Sequence, residues 1–111
     1  MDNKISDNDL KSVTGGIAVS EEAISGAITC LQKADALLAQ TPISTLYGPR
    51  ITDVIQALRS CNGDIEFYII DDLDALERRI LSYGRQHPEN ECRLYKTISE
   101  WIYNAKVQLG F

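Results

Sequence analysis

The sequence predicts an all-α fold, an antiparallel four-helix bundle, and three observations carry that expectation. Apolar residues recur at steps of three and four through four separate segments, as an amphipathic helix requires. The connections between those segments are short, which favours antiparallel neighbours. Neither a low-complexity tract nor an internal linker divides residues 20 to 109, so the core is one unit. With 111 residues, 44% apolar and 24% charged, the chain has ordinary globular composition and enough length to bury a core without metals or many disulfides.

The first helix is expected from Ser20 to Gln40. Ser20 is an N-cap residue, Glu21 and Glu22 suit the positive end of the helix dipole, and Ile24, Ala27, Ile28, Leu31 and Leu38 share a face. Thr41-Pro42 ends it, and the interval through Tyr47-Gly48-Pro49 reads as a connecting loop with Ile43, Leu46 and Tyr47 packed beneath. A short second helix carries Ile51, Val54, Ile55 and Leu58, with Asn62-Gly63 as a left-handed stop. The third runs from Asp64 through Ile65, Ile69, Leu73, Leu76, Ile80 and Tyr83, with Gly84 as its terminator. Phe67-Tyr68-Ile69-Ile70 alone has strand character, but the longer helical register outweighs it. His87-Pro88-Glu89 starts the fourth helix, whose stripe is Leu94, Ile98, Trp101, Ala105 and Leu109.

The net charge is -5, and beyond Gly16 thirteen acids stand against nine bases. A nucleic-acid surface needs a basic face, so that partner class is excluded, as is simple electrostatic attraction to anionic lipid. No apolar run approaches the length that crosses a bilayer, and no general secretory signal opens the chain. Cys30, Cys61 and Cys92 are an odd number, so at most one intramolecular bridge can form.

No catalytic, cofactor or metal site is expected. Asp71, Asp72, Asp74 and Glu77 form an acidic cluster of the kind that binds divalent ions, but Arg78 and Arg79 at helical spacing mark an exposed, ion-paired face. His87 with Cys92 lacks the further ligands of a zinc site and the orienting third group of a nucleophile pair, so His87 reads as a helix-start residue. Among the aromatics, Trp101 falls on the apolar stripe, whereas Tyr95 and Tyr103 fall beside it and are the candidates for contact with a partner.

The N-terminus supplies the functional expectation. Ile5, Asp9, Leu10, Val13 and the pair Gly15-Gly16 stand in register next to the initiator Met. The stretch resembles a double-glycine export leader, whose precursors are exported by peptidase-containing ABC transporters that cut after the second glycine. The physical need is legible: a constricted protease subsite admits only residues without bulk, and an amphipathic stretch upstream docks its apolar side chains in a groove.

The resemblance implies a leader at 1–16, flexible or weakly helical, and a helical mature domain at 17–111. It implies that Ile5, Leu10 and Val13 dock in the peptidase domain, that Asp9 makes a polar contact, and that the cut falls between Gly16 and Ile17. The product is then a secreted, bacteriocin-like or signalling polypeptide: a substrate of the transporter, not an enzyme, acting on a protein or membrane target. The mature portion departs from the short, cationic, glycine-rich members of that group. A cytosolic helical-bundle binding protein, such as a bacteriocin immunity protein, is the alternative; its N-terminus would be retained.

Overall fold

The computed structural model describes residues 16–61, 63–86 and 89–111, with the backbone alone for 16 and 89–91. Among these, four helices carry the fold and two short strands form a ribbon. In chain order they are β1 (Gly16–Ala18), α1 (Glu21–Leu38), α2 (Ser44–Ser60), β2 (Asp64–Glu66), α3 (Phe67–Gly84) and α4 (Glu89–Gln108). The fold is mostly helical, as the periodicity requires.

Helix α1 begins where its cap residue stands: the Ser20 hydroxyl accepts from the Ala23 N–H at 3.1 Å. Ala27, Leu31 and Leu38 are buried as read, and Cys30 and Ala34 complete the same face, with Ile24 and Ile28 on its flank.

Helix α2 is longer than expected, because Tyr47-Gly48-Pro49 lies inside it and not in a loop. Proline in a helix interior removes one N–H and costs about 3 kcal/mol. Pro49 and Thr45, the residue four positions before it, are both exposed, so the lost hydrogen bond belongs to the solvent side of the helix. Burial of Ile51, Val54, Ile55 and Leu58, worth about 1.5–3 kcal/mol for each side chain, outweighs that cost. Ile43 is buried and Tyr47 packs on the core, while Leu46 stays exposed.

Helix α3 starts at Phe67, not at Asp64, because Asp64, Ile65 and Glu66 are extended and pair with β1. Phe67–Ile70 is helical, and Ile69, Leu73, Leu76 and Ile80 are buried in the anticipated register. Gly84 does not terminate the helix through a left-handed backbone. It permits close approach: a Cβ there would lie 2.5 Å from the Cβ of Tyr95 on α4.

On α4 the buried stripe is Tyr95, Ile98, Ile102, Ala105 and Leu109, with Leu94 and Trp101 at its edge. The expected stripe holds at Ile98, Ala105 and Leu109 and is one position off at two places, where Tyr95 and not Leu94, and Ile102 and not Trp101, are buried. α4 packs against α1 on one side and α3 on the other, so its apolar face is broad and its centre is set by two neighbours. A Schellman motif closes it: Gly110 has φ 98°, its N–H donates to Val107, and the Phe111 N–H donates to Lys106.

Cross-helix contacts give the directions. Gly26 faces Gln108 and Lys33 lies over Trp101, so α1 and α4 run oppositely. Gly84 faces Tyr95 and Asp74 meets Lys106, so α3 and α4 do too. α1 also packs along α2, which meets α3 along a shorter seam.

Candidate functional site

The junction named by the leader resemblance is the first place to look. Ile5, Asp9, Leu10, Val13 and Gly15 lie outside the described residues. Gly16 and Ile17 are within β1, which pairs antiparallel with β2 in the register Gly16↔Glu66, Ile17↔Ile65 and Ala18↔Asp64. The ribbon continues through the Val19 N–H, which donates to the Gly63 carbonyl at 2.7 Å. Gly63, at φ 90°, turns the chain into β2.

The ribbon is also anchored by its side chains. Ile65 is buried, and Ile17 and Val19 are half-buried against the same core. Glu66 then serves as the N-cap position of α3, so β2 passes directly into a packed helix. The boundary read at Gly16 therefore falls inside a paired strand. Nothing in the sequence marked the pairing, since each strand is three residues long and its partner is remote. The one available signal was the exposed, buried, exposed alternation of Asp64, Ile65 and Glu66, which is too short to separate from a helix start.

The two tyrosines separate. Tyr95 is 3% exposed, with its ring edge-on to Tyr83 at 5.2 Å and 73°. It is a core residue and not a surface for a partner, because the α4 face centres on it. Tyr103 is 49% exposed, Val107 one turn later on α4 is exposed as well, and so is Phe111 beyond the helix end. Trp101 is half-buried under the Lys33 ammonium, 4.6 Å from the ring centre.

The acidic cluster resolves into an interhelical ion pair. Asp71 and Asp72 are exposed. Asp74 meets Arg78 at 3.6 Å on its own helix, as the spacing implies, but its closer partner is Lys106 of α4 at 2.7 Å. Lys106 Nζ also lies 2.8 Å from Glu77 Oε1, a contact of charge outside good hydrogen-bond geometry. The Lys106 hydrogen bond holds the Asp74 carboxyl below its ordinary pKa. Burial alone would lower the Lys106 pKa, but its hydrogen bond to Asp74 and the nearby Glu77 carboxylate overcome this and raise it. An acid that stays ionised and an amine that stays protonated tie α3 to α4 across neutral pH. Lys106 was missed by sequence reasoning; its place one turn after the buried Ile102 was the available signal.

The three cysteines are free thiols. Burial pushes the Cys30 thiol above its ordinary pKa, with Lys33 opposing, so it is protonated at neutral pH. The Cys61 thiol donates to the Leu58 carbonyl at 3.0 Å. His87 lies outside the described residues, and among the described ones no three His, Cys, Asp or Glu side chains converge as a metal site.

Two of the surface depressions lie beside the ribbon and the α2–α3 seam. An open one of about 610 Å³ is lined by Ile24, Ile28, Gln32, Arg59 and Cys61, near the far end of the ribbon. A second, of about 360 Å³, separates α2 from α3 and is lined by Arg50, Asp53, Asp72 and Arg79. Among the described residues no helix is long and apolar enough to cross a membrane. No family model, no curated protein and no solved structure matches this chain, so any functional reading rests on its own residues and geometry.

Proposed function

We propose that this chain is the precursor of an exported bacterial polypeptide, bacteriocin-like or signalling, cleaved between Gly16 and Ile17 by the peptidase domain of an ABC transporter. The observation that carries the reading is the register of Ile5, Asp9, Leu10 and Val13 ahead of Gly15-Gly16. The mature product is residues 17–111, its helices arranged as an up-and-down antiparallel bundle, acting by binding a protein or membrane target. Two features support that division. The Ser20 cap lies beyond the cut, so removal of the leader leaves α1 with its hydrogen-bonded start. The direction of α4, opposite to both α1 and α3, fits such a bundle. Of the two aromatic candidates, Tyr103 keeps the role of partner contact.

The test is incubation of the full chain with such a peptidase domain, followed by mass. A product beginning at Ile17 is expected, and Gly16→Leu should abolish it by placing bulk in the constricted subsite. Unchanged cleavage of Gly16→Leu would refute the assignment.

A cytosolic binding protein of the immunity type remains the second reading, favoured by one observation: Gly16 and Ile17 are paired into the fold, as a retained N-terminus would be. Chain recovered from producing cells with Met1 or Asp2 still at its N-terminus, despite a functional transporter, would select it.

A further inference from the structure

The bond to be cut and the strand that holds it are the same piece of backbone. In an antiparallel ladder, residues that exchange both hydrogen bonds alternate with residues that exchange none. Val19 donates to Gly63, so in this register the next exchanging pair is Ile17 and Ile65. The nitrogen of the Gly16–Ile17 peptide bond therefore has its hydrogen directed at the Ile65 carbonyl, and the Ile17 side chain packs on the core.

A cysteine peptidase needs that segment for itself. Its thiolate adds to the Gly16 carbonyl carbon, the bond to the Ile17 nitrogen breaks, and that nitrogen takes a proton and leaves as the new amine. Water then hydrolyses the thioester, which releases the Gly16 carboxylate and restores the thiol. Proteases take the substrate backbone as an added strand, so Ile17 must exchange its partner in β2 for the enzyme.

We propose that the β1–β2 ribbon is a latch on the processing site: β1 must lift off β2 before the leader is removed. This rests on the export reading above. The latch is local, since among the described residues β1 pairs only with β2, and the Ser20 cap of α1 stands outside it. Short strand pairs open without global unfolding, and the cleavage rate of the folded chain then follows the open fraction.

Two full-length variants test this with the peptidase domain of a double-glycine ABC transporter, reading release of residues 17–111 by mass and Ile17 amide exchange by NMR. Ile65→Ala removes the buried anchor of β2. Val19→Pro removes the Val19 N–H that bonds Gly63 and leaves Gly16 and Ile17 untouched. Each should speed both cleavage and exchange by about tenfold or more over wild type. Circular dichroism checks that the helices persist; if Ile65→Ala loses them, Val19→Pro decides. Faster exchange with unchanged cleavage overturns the latch, as does a wild-type Ile17 amide that exchanges like a free peptide. A peptide of residues 1–24, which has no β2 to release, separates the two claims: if it too stays intact, the export reading is what fails.

Discussion

The two faces of α3 are built differently. Where α3 meets α4, Gly84 lets Tyr95 approach to the backbone and Lys106 bridges Asp74 and Glu77, so the seam is closed by shape at one end and by charge toward the other. Where α3 meets α2, the seam is shorter and opens into a groove bordered by Arg50, Asp53, Asp72 and Arg79. Residues on the first seam have neighbours that cannot move away, whereas those on the second face solvent across a gap. Similar residue types on one helix therefore carry different energetic weight.

Adding a single methyl group at the tight seam is the largest expected perturbation. Gly84→Ala gains about 1 kcal/mol of helix propensity but places a Cβ 2.5 Å from that of Tyr95, and overpacking of this kind costs about 1–3 kcal/mol. The net loss is expected at the upper end of that difference, about 2 kcal/mol, because the Tyr95 Cβ is fixed to its backbone and cannot swing aside; it is seen as a lower urea midpoint with unchanged slope. A midpoint equal to wild type would mean that the helices slide apart freely and that the contrast between the seams is false.

Lys106→Met removes the bridge while keeping the length of the side chain, with an expected loss of about 1 kcal/mol at neutral pH, modest because Asp74 is half-exposed. Asp74 is held below its ordinary pKa, so its contribution is complete above that ordinary value and disappears as pH falls through the lowered one. Lys106 is held above its ordinary pKa, so its contribution is complete below that ordinary value and disappears as pH rises through the raised one. The stability gap between wild type and Lys106→Met should therefore be flat across neutral pH and close in strong acid and strong base. A gap that varies through neutrality would show that another group governs it.

Arg79→Ala, on the open seam, should stay within about 0.5 kcal/mol of wild type. A larger loss would show that the groove is held by charge and that the two seams are alike.

What was legible in the residues was local. The Ser20 cap with Glu21 and Glu22 placed the start of α1, and the unbroken register from Ile69 to Ile80 identified the core face of α3, because capping and periodicity act within one or two turns. Pro49 misled for the same reason: its local cost argues for a loop, and only the buried residues after it show why the helix accepts that cost. On α4 the periodicity was right, and so was the face at Ile98, Ala105 and Leu109, but Leu94 and Trp101 gave way to their neighbours Tyr95 and Ile102. Tyr95 instead of Leu94 is central because α1 and α3 both press on the helix, and no feature of α4 alone specifies where its neighbours stand.

By itself, then, the sequence determined four amphipathic helical segments, most of their core residues and the pattern around Gly15-Gly16, since each depends on neighbours a few positions apart. Tertiary structure alone decided that Gly16 and Ile17 pair with Glu66 and Ile65, that Tyr95 is interior, and that Lys106 answers Asp74. Those contacts join residues far apart in the chain, and no local propensity encodes a partner that only the packing of whole helices brings within reach.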